Sequence, residues 1–410
     1  MKPFYGDELV HQIISKSKLE KLTKNNKKYT INLNKDDYIN LVNICVGLYS
    51  PLKGFCDYRD YCSIIEKNKI NNNINWTIPI LLNSSLKKKG FFRLKYKSKI
   101  VGALNVESIF KINKKLFNLK IFGTNNNNHP GVAIVAKRKN LFIGGKTYLL
   151  NSALPTSSYF CSPKNMRIFF KKKGGSYTAF STRNICHSGH AFIHSHILKK
   201  VKILHVVVIQ STFYKYRPKI VFETYEIIRK KMNLKNKIKI ISIFMPTFFA
   251  GPKEAFLQAI MMQNLGFNNF VVGRDHAGVK DFYGKYESQK IFNNLKSLSL
   301  NIFKTKEPKI CTNCKKISFA KRINRCIYCS SKTKLVGIDG KFVRKKIIQR
   351  DFLKLDGMLN PYLISYFKKK KNLIQLPKFE IHIIMILLLR TSCLRWLSVA
   401  RSNSDCTTLM

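Results

Sequence analysis

Acidic side chains are scarce in this sequence. Its 410 residues include 21 aspartates and glutamates against 75 lysines and arginines, a formal net charge of +54. Such an excess attracts polyanions, including nucleic acids. The basic residues are spread along the whole chain, however, and lysine runs such as 171–173 occur beside asparagine runs such as 125–128. A nucleic-acid footprint should cluster on one face or element. Because lysine and asparagine both have A/T-rich codons, we attribute the charge to compositional drift and expect no nucleic-acid partner.

Long hydrophobic runs are also missing. The strongest run, residues 381–389, is interrupted by His382 and has about half the length that a bilayer-spanning helix needs. Residues 1–8 contain no apolar stretch of the kind found in secretory signals. Eleven cysteines in such a chain indicate a reducing compartment, where thiols stay buried or bind metal. With 45% hydrophobic residues, the chain is expected to be folded, soluble and cytoplasmic, without membrane association.

Two regions with different patterns follow each other along the chain. Up to about residue 155, strand-like runs such as 76–82, 91–94 and 100–104 are separated by glycine-, proline- and asparagine-rich turns. This pattern predicts a compact and largely β domain. From about residue 156 strands alternate with helices, which predicts a parallel sheet covered by helices on both faces. The predicted elements are strands at 176–180, 203–209, 238–244 and 269–272 and helices at 187–200, 222–232 and 253–265.

The first candidate motif follows the strand predicted at 176–180. His187 and His190 share one face of the helix predicted to start near residue 187. Arg183 and Asn184, in the preceding loop, add a cation and an amide donor. Together with the free N–H groups of a helix N-terminus, this set is typical of phosphate binding, and transfer at phosphorus depends mainly on positioning and charge complementarity. The alternative is a pair of structural histidines, which the preceding Arg-Asn makes the weaker interpretation.

The second candidate motif lies directly after the strand predicted at 269–272. It reads Gly273-Arg274-Asp275-His276-Ala277-Gly278. Glycines let the backbone approach a ligand closely, and Arg274 can bind an oxyanion bidentately. Asp275 could orient Arg274 or His276, and His276 could donate a hydrogen bond to a nucleotide phosphate or ribose. The alternative, a polar turn, does not account for six such residues after a buried strand. Both motifs follow strands, and ligands of parallel α/β sheets bind beyond the strands' carboxyl ends.

Two Cys-x-x-Cys pairs lie eleven residues apart further along the chain. Their members are Cys311, Cys314, Cys326 and Cys329. Each pair supplies two thiolates from a tight turn, and four thiolates close the tetrahedral shell of Zn²⁺. Because a closed shell leaves no position for a substrate, the sequence predicts a structural zinc ion. The alternative is four thiols that have lost their metal.

Taken in order, these motifs resemble those of the ATP sulfurylases, or sulfate adenylyltransferases. That family carries Gln-Thr-Arg-Asn-Pro-x-His-x-x-His after one strand and Gly-Arg-Asp-His-Ala-Gly after a later one. The resemblance runs from about residue 30 to about residue 350. It includes further segments in the family's order: Ser50-Pro51-Leu52-Lys53-Gly54-Phe55, Trp76-Thr77-Ile78-Pro79-Ile80, His129-Pro130-Gly131, Ala250-Gly251-Pro252-Lys253-Glu254-Ala255 and Asp281-Phe282-Tyr283-Gly284.

The resemblance implies an α/β fold in four parts. These are a PUA-like β domain at 1–155, a Rossmann-like nucleotidyltransferase domain at 156–300, a small C-terminal domain with the cysteine knuckle at 301–350, and a divergent tail at 351–410. It also implies the reaction, in which a sulfate oxygen attacks the α-phosphorus of ATP, adenosine 5′-phosphosulfate forms and pyrophosphate leaves, reversibly. Mg²⁺ should accompany ATP and neutralise the pyrophosphate. We expect these small molecules as partners, and a homo-oligomer.

The resemblance also implies a role for each residue of the two motifs. The predicted catalytic residues are Thr182, Arg183, Asn184, His187 and His190. In the family's pattern the two histidines stabilise the pentavalent transition state. The predicted ATP-binding residues are Ser181, Thr182, Arg183, Asn184, Gly273, Arg274, Asp275 and His276. The predicted sulfate-binding residues are Ser181, Arg183 and, through its backbone, Ala277.

Several positions depart from the family's pattern. Ser181 replaces a glutamine, Ile185 a proline and Ala191 a glutamate. Phe248 stands where an arginine usually precedes Ala-Gly-Pro. Losing a buried polar contact costs about 1–3 kcal/mol, or roughly one to two decades in rate. The second hypothesis is therefore a catalytically impaired relative that binds nucleotide or nucleic acid. Because the Arg-Asn, His-x-x-His and Gly-Arg-Asp-His sets are intact, we favour an active enzyme.

Overall fold

The computed structural model describes residues 2–26, 29–70, 73–156, 159–212, 216–319, 326–329 and 334–370. The apolar run at 381–389 and the rest of the tail beyond residue 370 lie outside the described residues. Among the helices of the described ranges, none combines the length and the apolar character that crossing a bilayer requires.

The N-terminal unit is built around an eight-stranded, mostly antiparallel sheet with the order β1-β10-β8-β7-β2, to which β3, β6 and β9 are added along β10. The strands of this sheet are β1 (Ile13–Ile14), β2 (Thr30–Asn32), β3 (Gly54–Phe55), β6 (Leu82–Asn83), β7 (Gly90–Tyr96), β8 (Lys99–Val106), β9 (Ser108–Phe110) and β10 (Phe142–Leu150). The strands β4 (Lys69–Ile70) and β5 (Ile74–Asn75) pair with each other in a separate two-stranded sheet. The helices of this unit are α1 (Lys16–Leu22), α2 (Lys35–Cys45), α3 (Tyr58–Lys67), α4 (Lys114–Phe122) and α5 (Pro130–Lys137).

The strands predicted at 91–94 and 100–104 are confirmed as parts of β7 and β8. The strand predicted at 76–82 is wrong except for its last residue, which begins β6. Trp76 is fully buried and its indole N–H donates to the carbonyl of Ile78 at 2.7 Å. The apolar residues of this segment reflect burial rather than a strand. The segment crosses the core without a partner strand. The unit also contains more helix than the turn-rich pattern predicted.

The second unit is a five-stranded parallel sheet with the order β13-β12-β11-β14-β15. Its strands are β11 (Thr178–Thr182), β12 (Leu204–Gln210), β13 (Ile238–Phe244), β14 (Asn269–Val272) and β15 (Asn301–Lys304). Its helices are α6 (Pro163–Lys173), α7 (Ser188–Ile197), α8 (Pro218–Lys231), α9 (Pro252–Leu265) and α10 (Glu287–Asn294). The predicted Rossmann-like parallel sheet is thus confirmed.

Helix α9 joins the two units. Every residue from Glu254 to Leu265 is buried, and the helix ends at Gly266 in the left-handed conformation (φ 94°) that favours glycine. The Asn264 amide donates to the carbonyls of Leu48 (3.1 Å) and Ser50 (3.0 Å) in the N-terminal unit. Because α9 follows β13 in a parallel sheet, its first turn lies at the carboxyl edge of the strands. Side chains from that turn are therefore held rigidly beside any ligand bound there.

The last unit packs on the face of the parallel sheet that lies opposite to α9. It contains β16 (Pro308–Cys311), β17 (Ile317–Phe319), β18 (Leu335–Gly337), α11 (Gly340–Ile348) and α12 (Pro361–Lys369). Val343 of α11 and Phe367 of α12 are fully buried in one cluster with Tyr225 of α8 and Val208 of β12. Residues 361–369, placed in the predicted tail, therefore complete a core of the second unit. The exact domain limits stay a prediction.

Candidate functional site

Both sequence motifs lie at one edge of the parallel sheet. β11 and β14 are adjacent, and the strand order reverses between them, since β12 and β13 lie on one side and β15 on the other. The first motif leaves the carboxyl end of β11, and the second leaves the carboxyl end of β14. This reversal point is where parallel α/β sheets open a crevice for ligands. The topology thus brings together two segments that are about ninety residues apart in the sequence.

Arg183 is held by a buried carboxylate. Its Nη2 contacts Oε1 of Glu254, which is fully buried in the first turn of α9. A guanidinium has five N–H donors, more than this carboxylate takes. Within the described residues, Arg183 Nε and Glu254 Oε2 have no hydrogen-bond partner. The ion pair therefore orients Arg183 and leaves it donors with which it can bind an oxyanion.

His187 and His190 lie side by side at the start of α7. His187 is the N-cap residue of this helix, and the two ring centroids are 4.0 Å apart. Nδ1 of His190 is 2.9 Å from the hydroxyl of Tyr225 on α8. Burial lowers the pKa of His187 to about 4, although the nearby Asp339 carboxylate partly opposes this, and burial together with His187 holds the pKa of His190 well below its usual range. Both rings are consequently neutral near pH 7, and each can still donate one hydrogen bond.

The start of α11 closes one side of the site. A Cβ on Gly340 would lie 3.6 Å from Nε2 of His187 and 3.7 Å from the side-chain nitrogen of Asn184. The backbone N–H of Ser188 donates to the carbonyl of Met358 at 3.0 Å. The last unit therefore contacts the first motif directly, and its position affects the access of ligands to His187.

The second motif is shaped around Arg274 and His276. Arg274 Nε is 3.5 Å from Oε1 of Glu307, and its Nη2 is 4.0 Å from Oδ2 of Asp275, so both carboxylates orient the guanidinium. His276 turns the other way, and its Nε2 is 2.8 Å from Oε1 of Gln258 on α9. Gly278 makes room for Asp275, because a Cβ there would lie 1.8 Å from the present position of the Asp275 carboxylate, which would have to move. Whether Asp275 orients Arg274 or His276 stays a prediction.

Several polar residues at this edge have no role in the predictions made from the sequence. They are Tyr225, Glu254, Gln258, Glu307 and Asp339. The sequence could have indicated a role for Glu254 and Gln258, since they lie one turn apart on a helix whose other central residues are mostly apolar. The sequence contains no such indication for Tyr225, Glu307 and Asp339, because each comes from an element far along the chain that only packing brings to the site.

Two of the departures from the family's pattern have become packing residues. Ile185 is 1% exposed and lies in the core formed with α8 and α12. Phe248 packs against the large core that the first two units share. Neither position supplies a polar group to the site.

Buried histidines should make the protein sensitive to acid. Burial lowers the pKa of His187, His205 and His276 to about 4, against about 6.5 in an unfolded chain. Between these values the unfolded state binds more protons, so the free energy of unfolding should fall as the pH drops from about 6.5 to about 4, by up to about 1.4 kcal/mol per pH unit and histidine. Urea unfolding at several pH values measures this slope. His205→Phe should lower this slope by the amount that corresponds to about one proton, whereas replacing the exposed His11 by asparagine should leave the slope unchanged. A free energy of unfolding that does not change between these pH values would contradict the prediction.

The four cysteines of the knuckle meet as predicted. Their sulfur atoms all lie within 4.8 Å of one another. Sγ of Cys311 is 3.7 Å from that of Cys329, and Sγ of Cys314 is 3.6 Å from that of Cys326. A tetrahedron of sulfurs about 2.3 Å from a zinc ion has edges of about 3.8 Å. The geometry and the donor set therefore fit Zn²⁺, with four ligands and no open position.

A parallel sheet with arginine and histidine motifs at its reversal point defines a Rossmann-like nucleotide-binding protein. Family models match this chain in two places: a PUA-like domain matches residues 1–152, and ATP-sulfurylase matches residues 157–353. Curated relatives named sulfate adenylyltransferase include one from Thermococcus onnurineus, 31% identical over 84% of this chain and 92% of its own, and one from Hyperthermus butylicus, 31% identical over 90% and 96%. A third, from Staphylothermus marinus, is 32% identical over 76% and 84%. The chain belongs to the ATP-sulfurylase, or sulfate adenylyltransferase, family.

A solved structure supports the fold. The chain described as a hexameric APS kinase from Thiobacillus denitrificans is similar with a TM-score of 0.63, at 15% identity. The similarity covers 85% of this chain and 64% of that one. At this identity the likeness shows the fold alone.

Proposed function

We propose that the protein is a sulfate adenylyltransferase that joins sulfate to the adenylyl group of ATP and releases pyrophosphate. One observation carries the proposal. At the carboxyl edge of β11 and β14, an oriented arginine, a pair of neutral histidines and the Gly273–Gly278 motif converge on one crevice. Family membership supplies the reaction to which this arrangement is suited.

The proposed mechanism needs no protein nucleophile. Sulfate binds to Arg183, which Glu254 holds in place, and to the backbone of Ala277. Thr182 and Asn184 position the α-phosphate, and the motif from Gly273 to His276 binds the rest of ATP. Mg²⁺ enters with ATP as part of the substrate. A sulfate oxygen then attacks phosphorus in line with the departing pyrophosphate.

The two histidines would act on the transition state. Negative charge spreads over the equatorial oxygens of the pentavalent phosphorus, and preorganised N–H donors in a water-poor site stabilise it strongly. His187 and His190 are neutral, so each has one ring N–H with which it would donate a hydrogen bond to these oxygens. Tyr225 contacts Nδ1 of His190 and would hold that ring in its donor orientation.

Sulfate-dependent exchange of labelled pyrophosphate into ATP tests the proposed function. The purified chain should catalyse this exchange with Mg²⁺, and omitting sulfate should stop it. When sulfate is omitted, chloride replaces it so that the ionic strength stays the same. A folded protein that shows no exchange but still binds polyanions would favour the second hypothesis, a catalytically impaired relative.

We also propose that Cys311, Cys314, Cys326 and Cys329 hold one structural Zn²⁺ ion. The purified protein should contain one zinc per chain by mass spectrometry of metals. Because the knuckle shares a unit with α11, which borders His187, treatment with a strong chelator should lower the melting temperature by about 5 °C or more. Exchange, measured after the chelator has been removed and Mg²⁺ restored, should also fall. Cys311→Ser should behave like the chelated protein, and Cys62→Ser, on α3, should keep its zinc. A stable protein that holds no metal would contradict this assignment.

The proposal also covers the cellular compartment and the oligomeric state. Four thiols arranged for metal binding suit a reducing compartment, and we place the protein in the cytoplasm. We also expect a homo-oligomer, because most soluble oligomers are built from identical chains. Sedimentation velocity over a concentration series measures this state, and a monomer at all concentrations would refute it.

A further inference from the structure

Ser181 leaves room beside the nucleotide motif, and a side chain from another element fills that room. This serine stands where the family carries a glutamine. It is 7% exposed, and its hydroxyl donates to Oε1 of Gln258 at 2.7 Å. Gln258 is 2% exposed and projects from the second turn of α9, across the sheet edge from β11. A carboxamide thus lies beside Ser181, although the chain supplies it from a position 77 residues later.

The contacts of Gln258 fix its orientation. Its Nε2 lies 3.5 Å from Oε1 of Glu254, and its Oε1 lies 2.8 Å from Nε2 of His276. Turning the amide over would set its oxygen against the Glu254 carboxylate, and two acceptors repel each other. The oxygen therefore faces Ser181 and His276. Because an amide oxygen only accepts hydrogen bonds, Nε2 of His276 must carry the ring proton.

This arrangement changes what His276 can offer a nucleotide. Burial, together with Arg183, lowers the pKa of His276 to about 4, so the ring is neutral near pH 7. A neutral imidazole has one N–H, and here Gln258 takes it. The remaining nitrogen, Nδ1, has a lone pair and accepts hydrogen bonds. His276 would then accept from a ribose hydroxyl or the adenine amino group, rather than donate to a phosphate as the sequence suggested.

We propose that Gln258 is a positioning residue that supplies, from α9, the carboxamide which the family carries at the position of Ser181. It holds His276 in the Nε2–H tautomer, and through Glu254 it joins the arginine of the first motif to the histidine of the second. This inference rests on the proposed function. It also explains how Ser181 and His276 keep a hydrogen-bond partner in a site that lacks the family's glutamine.

A double-mutant cycle tests whether Gln258 supplies the carboxamide that the family carries at the position of Ser181. Gln258→Ala should lower kcat/KM for ATP about 10- to 100-fold, because it leaves the Ser181 hydroxyl and His276 Nε2 without their shared acceptor. Ser181→Gln alone should also lower it, since two carboxamides compete for one space. The double variant Ser181→Gln/Gln258→Ala should regain at least tenfold over the product of the single effects. Purely multiplicative effects, or normal kinetics in Gln258→Ala, would overturn the proposal.

The tautomer of His276 gives a readout that does not need catalysis. With ¹⁵N-labelled histidine, the ring signals of His276, assigned by their loss in His276→Asn, should show a protonated Nε2 and an unprotonated Nδ1. Gln258→Met keeps the volume and should abolish this preference. Gln263→Met is the matched control, because Gln263 is equally buried on α9 but binds Ser299 and Pro3 instead. An unchanged tautomer in Gln258→Met would refute the inference.

The two measurements separate the inference from the proposed function. If the wild-type chain lacks sulfate-dependent exchange but His276 shows the Gln258-dependent tautomer, the function fails and the positioning of His276 stands. If the wild-type chain is active but the tautomer ignores Gln258, only the inference fails. Melting curves of every variant show which losses come from unfolding.

Discussion

Replacing both His187 and His190 by alanine should abolish sulfate-dependent pyrophosphate exchange while the chain stays folded. Removing one preorganised donor from a site of this kind typically costs about 10²- to 10³-fold in kcat. The rings are 4.0 Å apart and act on the same phosphorus, so their effects should not multiply independently. Each single variant should therefore lose most of the activity that the double variant loses. Unchanged exchange in the double variant would refute the site assignment.

A matched control distinguishes catalysis from packing at this helix. His194 lies one turn beyond His190, is buried, and has no hydrogen-bond partner for its Nε2 within the described part of the chain. His194→Leu should therefore keep exchange near the wild-type rate. The His190→Ala variant leaves the Tyr225 hydroxyl without this contact, which should cost about 1–3 kcal/mol of stability. Urea unfolding measures that cost separately from the rate.

Arg183→Met should damage both stability and activity. Glu254 is fully buried, and Arg183 is the cation that contacts it. Breaking a buried ion pair by removing one partner typically costs about 3–5 kcal/mol, because a charge is left without compensation. Sulfate would also lose its arginine, so we expect exchange to fall about 10³-fold or more. Chemical unfolding and the exchange assay measure the two losses on the same preparation.

A second substitution should separate the two losses. Adding Glu254→Gln to Arg183→Met replaces the unpaired carboxylate by a neutral amide and should restore most of the stability, but not the exchange. Arg229→Met is the control, because Arg229 pairs with Glu226 at the partly exposed surface of α8, where an ion pair contributes about 0–1 kcal/mol. Recovery of exchange in the double variant would show that Arg183 acts only through folding.

Much of the fold could be predicted from local patterns. The strands at β12, β13 and β14 and the helix α9 appear within a few residues of their predicted limits, because buried parallel strands are continuous apolar runs and glycine ends α9. The strand predicted at 76–82 is wrong because burial alone also produces an apolar run. The sequence does not predict helices α1 to α5 of the first unit, because short helices among turns give weak periodicity.

The sequence by itself determined the parallel sheet, the two motifs after β11 and β14, and the spacing of the four cysteines. These features are local, since strand, turn and ligand residues lie within a few positions of one another. Only the tertiary structure decided that Glu254 orients Arg183, that Gln258 reaches Ser181 and His276, and that α11 borders His187. Those contacts join residues from 18 to more than 150 positions apart. Side chains from separate elements meet only when packing sets the position and rotation of each helix, and no local pattern carries that information.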